Sequence, residues 1–119
     1  MIEKNEFLQI VNDAVVDEDL VNKLEEKYNH TFPTLVKKII SLSNEPIFGE
    51  DWRNLQYVEI LDPEKTLKYN FAERNQIPLL DVFDNNYLVF DYSDSLWKAV
   101  NLTDEVEYDE AEDLSSLFK

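Results

Sequence analysis

Apolar residues in the first forty or so positions recur at intervals of three and four, which is the spacing of one face of an α-helix. We therefore predict three amphipathic helices in succession. Their apolar positions are Phe7, Leu8, Val11 and Val15 in the first, Leu20, Val21, Leu24 and Tyr28 in the second, and Leu35, Val36, Ile39, Ile40 and Leu42 in the third. Asp17 can cap the second helix because its carboxylate can accept from free amide groups of the first turn. Pro33 suits the first turn of the third helix, where a missing N–H costs nothing, and Asn44 and Pro46 end that helix.

After the helices the apolar period changes to two, which indicates β-strands. Four strands are predicted, at residues 56–60, 77–80, 87–90 and 96–100. The third of them is apolar on both faces, which is typical of a central strand. Turn-forming residues at 84–86 and 93–95 separate the last three strands, and a short helix carrying Leu67 is predicted between the first two.

The last residues return to a helical pattern, because Ala111, Leu114, Leu117 and Phe118 share one face from about residue 109 onward. The predicted order is N-terminal helices packed on a small, mostly antiparallel sheet, followed by one closing C-terminal helix. This order is an α+β fold. The chain has 119 residues and shows no internal repeat or linker, so we expect a single domain over residues 1–119.

The chain is strongly acidic, with 26 Asp and Glu residues against 11 Lys and Arg residues and a formal net charge of −15. A surface of this charge repels nucleic acids and anionic lipids and attracts basic proteins. The alternative is that the charge only keeps the protein in solution. The absence of cysteine excludes disulfides, Cys-ligated zinc and thiol catalysis. Because neither a secretory signal nor an apolar run of about 20 residues is visible, we expect a cytoplasmic protein that binds no membrane and no nucleic acid, and we assume a monomer.

Residues suited to catalysis are few, and we expect no enzymatic activity, no metal and no cofactor. The one histidine, His30, lies in a predicted loop without a nucleophile elbow, and a single glycine cannot build a phosphate-binding loop. Asp81, Asp84, Asp91 and Asp94 surround one predicted hairpin and could bind a hard cation or act as an acid–base pair. Their spacing does not match an EF-hand, and roles in turns and caps are favoured.

The densest acidic segment is the main candidate for binding a partner. Seven carboxylates occupy ten positions with no basic residue among them: Asp104, Glu105, Glu107, Asp109, Glu110, Glu112 and Asp113. One interpretation is structural, since carboxylates in the first turn of a helix oppose the helix dipole. Seven carboxylates exceed what capping needs, and their mutual repulsion costs stability, so a basic partner is the other interpretation. The pattern does not decide between the two.

A second candidate segment is Phe48-Gly49-Glu50-Asp51-Trp52, in a predicted loop. Glu50, Asp51 and Trp52 combine charge with a large rigid ring, and such rings are favoured at the centres of interfaces. The alternative is that Trp52 anchors the loop in the core. Trp97 lies within a predicted strand, and we expect it to belong to the core.

Several short motifs follow one another along the chain. They are Leu24-Glu25-Glu26-Lys27-Tyr28, Thr31-Phe32-Pro33, Val36-Lys37-Lys38-Ile39-Ile40, Ile77-Pro78-Leu79-Leu80, Asp84-Asn85-Asn86-Tyr87-Leu88-Val89-Phe90-Asp91 and Asp113-Leu114-Ser115-Ser116-Leu117-Phe118. Their order and spacing resemble the SUKH superfamily (Smi/Knr-like), with its two signature helices, Ile-Pro strand, hairpin and terminal helix. The chain departs from the family at two turns that usually hold glycine and here hold Asn44 and Asn85-Asn86. Asparagine is the substitute that best tolerates a left-handed backbone.

The resemblance implies a SUKH-like fold and a role in binding other proteins. Members of the family in bacterial polymorphic toxin systems are immunity proteins, and relatives in fungi and viruses are regulatory binding modules. The partner that the resemblance implies is a cognate toxin, and the charge favours a basic, nuclease-type toxin whose active surface is occluded. The alternative is a non-enzymatic regulatory or scaffold module with the same fold. A carboxylate-based hydrolase or a metal-dependent enzyme is the interpretation that the residues support least.

Overall fold

The computed structural model describes residues 4–42, 59–61, 71–82 and 85–117, and it confirms the α+β class. The elements are α1 (Lys4–Asp13), α2 (Glu18–Tyr28), α3 (Thr34–Ser41), β1 (Glu59–Ile60), a 3₁₀ turn (Ala72–Arg74), β2 (Gln76–Asp81), β3 (Asn86–Asp91), β4 (Leu96–Asn101), β5 (Val106–Ala111) and α4 (Leu114–Leu117). The five strands form one antiparallel sheet in the order β1-β2-β3-β4-β5. The central strand is therefore β3, as its two apolar faces predict.

The ends of the N-terminal helices follow the predicted capping residues. Asp17 precedes α2, and its carboxylate accepts a hydrogen bond from the backbone N–H of Leu20 at 3.2 Å. Pro33 immediately precedes α3. Asn29 ends α2 with a left-handed backbone (φ 54°), a conformation that asparagine tolerates better than most residues. Val15 was predicted on the apolar face of the first helix, but α1 ends at Asp13 and the Val15 side chain is 88% exposed.

The main core lies between the three N-terminal helices and one face of the sheet. The helices contribute Phe7, Val11, Val21, Leu24, Val36, Ile39 and Ile40, and the sheet contributes Ile60, Ile77, Leu80, Leu88, Phe90, Trp97 and Ala99. Trp97 is buried, as predicted, and its ring packs edge-on against Phe90. The opposite face of the sheet carries a second apolar cluster, formed by Leu61, Phe71, Tyr87, Val89 and Val100.

The four long strands begin at ten-residue intervals, and a residue with positive φ precedes each of them. These residues are Asn75 (61°), Asn85 (63°), Ser95 (61°) and Glu105 (54°). A left-handed backbone normally favours glycine, and this chain has one glycine. At two of the four turns asparagine adopts this left-handed backbone instead of glycine. The prediction that asparagine replaces glycine at the turn of Asn85 is confirmed.

The C-terminal region departs from the prediction. Residues 106–111 form β5, and the closing helix begins at Leu114 rather than near residue 109. Acidic residues have low strand propensity, which weakened the strand signal of this segment in the sequence. Pairing with β4 outweighs that propensity. The predicted stop at Asn44 and Pro46, the short helix carrying Leu67 and the loop of Trp52 lie outside the described residues.

Candidate partner-binding site

Among the described strands, β5 is an edge strand of the sheet, and it carries most of the acidic segment. Its register with β4 pairs Ala99 with Asp109 and Val100 with Glu107. Tyr108 is the extra residue between those pairs, so the strand contains a β-bulge at this position. Bulges redirect side chains at sheet edges, and here the bulge lies in the middle of the acidic segment.

The exposed side chains of β5 combine charge with apolar surface. Val106 is 47% exposed and Tyr108 is 46% exposed. In the described part of the chain, Val15 is the one other large hydrophobic residue with such exposure. Glu107 and Glu110 are exposed, and Asp109 is half-buried. This edge therefore presents an aromatic ring and a branched aliphatic side chain among carboxylates.

A groove runs along this part of β5. Its volume is about 310 Å³, and Glu107, Tyr108, Asp109 and Glu110 line it. Three of the four lining side chains are carboxylates and the fourth is an aromatic ring. A lysine or arginine side chain fits this chemistry, because a carboxylate binds its charge and an aromatic face attracts a cation.

The remaining acidic residues of the segment lie in the turns on either side of β5. The turn from β4 contains Asp104 and Glu105, and Glu105 forms an exposed ion pair with Arg74 at 3.7 Å. After β5, Asp113 caps α4 by accepting hydrogen bonds from the Ser116 N–H and the Ser115 hydroxyl, both at 2.8 Å. The helix-capping interpretation of the acidic segment therefore holds for Asp113, but not for the acidic residues of β5, which lie in a strand.

The Lys98 ammonium binds three carboxylates, and one of them belongs to β5. The ammonium nitrogen lies 2.9 Å from Asp91, 2.8 Å from Asp94 and 3.2 Å from Glu107. The side chains of Lys98 and Asp91 are 10% and 6% exposed. The amide nitrogen of Gln76 donates to both Asp91 and Glu107 at 3.3 Å. This Lys98 cluster connects four strands and fixes Glu107 on the edge strand.

The pKa values of the cluster favour its charged form. Burial raises the pKa of Asp91, but hydrogen bonds from Ser93, Lys98 and Gln76 outweigh burial and leave it below the ordinary value. Burial lowers the pKa of Lys98, but hydrogen bonds to Asp94, Asp91 and Glu107 raise it well above the ordinary value. Three carboxylates face one ammonium, so the cluster keeps a net negative charge.

Two of the acidic hairpin residues, Asp91 and Asp94, have structural roles. Asp91 and Asp94, considered above as cation ligands, both bind the Lys98 ammonium. No group of three or more His, Asp or Glu residues among those described is arranged to hold a metal ion. Asp84 lies outside the described residues. His30 stacks on the Tyr92 ring, with centroids 4.4 Å apart.

The structure thus brings part of the predicted partner-binding residues together at β5. Other residues that the sequence did not indicate belong to the same site. Asp104, Glu105, Glu107, Asp109, Glu110, Glu112 and Asp113 all lie on β5 or within three residues of it. Glu50, Asp51 and Trp52 lie outside the described residues. Sequence reasoning missed Val106 and Tyr108, although their alternation with Glu107 and Asp109 was a strand signal. It also missed Lys98 and Gln76, whose roles depend on strand register.

Comparison of the chain with protein-family models, with curated proteins and with solved structures gave no match. Among the described residues, no helix has the length and apolar character needed to cross a bilayer.

Proposed function

We propose that this protein is an immunity protein of the SUKH type, which binds a cognate bacterial toxin in the cytoplasm and neutralises it by covering its active surface. The toxin is basic and of the nuclease type, and the neutralisation involves no bond-making chemistry. The proposal draws on the motif resemblance, on the net charge of −15 and on the edge strand β5. The observation that most supports the proposal is the exposure of Val106 and Tyr108 among the carboxylates of that edge.

The charges on β5 have a second explanation, which is protection against aggregation. Edge strands commonly carry charged residues that prevent pairing with another copy of the sheet. Protection alone does not explain a half-exposed tyrosine and a half-exposed valine on the same edge, because apolar side chains there favour association. A binding surface explains both features, since interfaces combine aromatic side chains with a polar, charged rim.

Electrostatic complementarity explains how such an edge would select a nuclease-type toxin. A nuclease must attract phosphate, so its active surface carries basic residues. An acidic strand at the edge of a domain attracts that surface over long range and accelerates encounter. Apolar contacts made by Tyr108 and Val106 then slow dissociation, because the exposed part of each side chain is buried in the complex.

The Lys98 cluster supports tight binding by keeping β5 in place before the partner arrives. Glu107 is bonded to both Lys98 and Gln76, so its position is set in the free protein. Ordering a flexible strand on binding would cost conformational entropy, and a pre-ordered strand avoids that cost.

A growth assay tests the proposal. The product of the gene immediately upstream is expressed in a bacterial host with and without this protein. We expect that product to arrest growth alone and co-expression to restore growth. An upstream product that is harmless, or an arrest that this protein does not relieve, would contradict the proposed function.

Charge-reversed variants locate the binding surface in the same assay. Glu110 and Glu112 are exposed and form no ion pair with any described residue, so Glu110→Lys with Glu112→Lys should leave the fold intact and abolish protection. Glu6→Lys with Glu26→Lys changes the net charge equally on exposed positions of α1 and α2, and should keep protection. Equal effects of the two pairs would place the binding surface elsewhere.

A further inference from the structure

We infer that β5 recognises its partner by strand addition. An extended segment of the partner, with lysine or arginine at alternate positions, pairs with the outer edge of β5 as a sixth strand of the sheet. The inference rests on the proposed function for the basic character of the partner. It adds the conformation of the bound segment and the backbone groups that bind it.

The register of the sheet shows which backbone groups of β5 point outward. The Leu102 N–H donates to the Asn85 carbonyl at 2.9 Å, just beyond the pairing of Asn86 with Asn101. Hydrogen-bonded and non-hydrogen-bonded pairs alternate in an antiparallel ladder, so Lys98 and Val100 turn their backbone groups towards β3. Trp97, Ala99 and Asn101 therefore turn theirs towards β5.

The partners of these three residues on β5 are Ala111, Asp109 and Val106. The intervening residues Glu107 and Glu110 consequently direct their N–H and C=O groups away from β4. A hydrogen bond agrees with this assignment, because the Glu110 N–H donates to the Asp109 carboxylate of the same strand at 2.9 Å. The outer edge of β5 thus offers backbone groups at two positions on either side of the bulge.

The Asp109 carboxylate gives this edge a local hydrogen-bond partner that a ligand can replace. In the free protein it accepts from the Glu110 N–H. An added strand would supply a carbonyl to that N–H, and a lysine or arginine of the same strand would bind the Asp109 carboxylate. The exchange replaces one hydrogen bond by another and adds a charge-assisted contact.

The groove provides the space for side chains of the added strand. It holds about 310 Å³ and is lined by Glu107, Tyr108, Asp109 and Glu110. A basic side chain entering it contacts carboxylates and the Tyr108 ring together. Strand addition uses main-chain hydrogen bonds for affinity and pockets for alternate side chains for specificity, and β5 offers both.

Charge also decides between a basic partner and a second copy of this chain. Pairing of two β5 strands would place Glu107, Asp109 and Glu110 of each copy against those of the other. Like charges directly opposite one another destabilise a strand pair. A segment of opposite charge is therefore the occupant that fits.

Synthetic peptides test the pairing directly. The probe is a ten-residue peptide of alternating lysine and valine, with two N-methylated forms that block the amides either of all lysines or of all valines. One set of amides faces β5 and the other faces solvent. We expect one N-methylated form to bind at least about tenfold more weakly than the parent and the other to bind within about twofold. Equal affinities of the three peptides, or equal losses in the two methylated forms, would overturn strand addition.

The outcome separates this inference from the proposed function. If methylation has no effect while the protein still relieves growth arrest, strand addition is wrong and the immunity function stands. If methylation acts as expected and growth arrest is not relieved, the pairing stands and the toxin assignment is wrong. Sedimentation of the free protein as a dimer that Glu110→Lys strengthens, because the variant lowers the repulsion between the two β5 strands, would show a second copy on β5 and would also overturn the inference.

Discussion

At the scale of single residues, Lys98 takes part in three of the ion pairs among the described residues. It is the shared partner of Asp91, Asp94 and Glu107, and it lies almost entirely out of solvent. Removing one member of a buried ion pair leaves the other charge without compensation. Such a loss is far larger than the loss of an exposed pair.

We predict that Lys98→Met lowers the free energy of unfolding by about 3–5 kcal/mol, because it leaves the buried Asp91 carboxylate without its ammonium partner. The measurement is a urea titration followed by circular dichroism. Arg74→Met is the matched control, since Arg74 pairs with Glu105 on the exposed surface, and it should cost less than about 1 kcal/mol. Similar losses for the two variants would contradict the role assigned to Lys98.

The pKa of Asp91 predicts a specific dependence of stability on pH. The folded state holds this pKa below the ordinary value of 3.8, so Asp91 stabilises the fold at pH values above about 4. That contribution declines as the pH falls through the lower, folded-state pKa. We therefore expect the stability difference between the wild type and Asp91→Asn to shrink between about pH 5 and pH 2.

Urea midpoints measured across that range provide the test. Asp104→Asn is the control, because Asp104 is exposed and its side chain forms no hydrogen bond with a described residue. Its difference from the wild type should stay nearly constant. A constant difference for Asp91→Asn would show that Asp91 gains nothing from its neighbours in the folded state.

At the scale of elements, the helices and the first four strands could be predicted because burial on one or both faces imposes a period on the sequence. Leu24 and Ile39 recur with their neighbours at helical spacing, and both are buried as the pattern predicts. Strand β5 gives a weaker signal, because only Val106 and Tyr108 alternate with its acidic residues. It lies at an edge, its side chains are mostly exposed, and Glu107, Asp109 and Glu110 have low strand propensity.

The packing of α3 gives a prediction about the core. Ile39 is 0% exposed and lies between the helices and the sheet, so Ile39→Ala leaves a cavity and should cost about 2–5 kcal/mol. Leu35→Ala, at a half-buried position of the same helix, should cost clearly less. Thermal and urea unfolding of both variants measure the difference. An equal cost would contradict the placement of α3.

Only part of the candidate site could be predicted from the sequence, because the rest depends on how the strands pair. The acidic composition of residues 104–113 is visible in the sequence, but the groove and the Lys98 cluster depend on the register of neighbouring strands. Gln76 and Glu107 are 31 positions apart in the chain and meet through the sheet. The bulge at Tyr108 is also invisible without the pairing of β5 with β4.

At the scale of the whole molecule, the charges of the described residues are distributed unevenly. Helices α2 and α3 carry Lys23, Lys27, Lys37 and Lys38 among their acidic residues. The segment 104–113 carries no basic residue, and its Glu105 and Glu107 pair with Arg74 and Lys98. The edge formed by β5 is therefore more anionic than the helical side. This asymmetry supports the proposal that β5 directs association with a basic partner.

The most direct test of that proposal is the rate of association with the product of the upstream gene at different salt concentrations. We predict that the association rate constant falls at least about tenfold between about 20 mM and 500 mM salt, because salt screens attraction between opposite charges. Glu110→Lys with Glu112→Lys should lower the rate at low salt by a similar factor, and Glu6→Lys with Glu26→Lys should lower it much less. A rate that salt and the β5 reversals leave unchanged would contradict the binding role of this anionic edge.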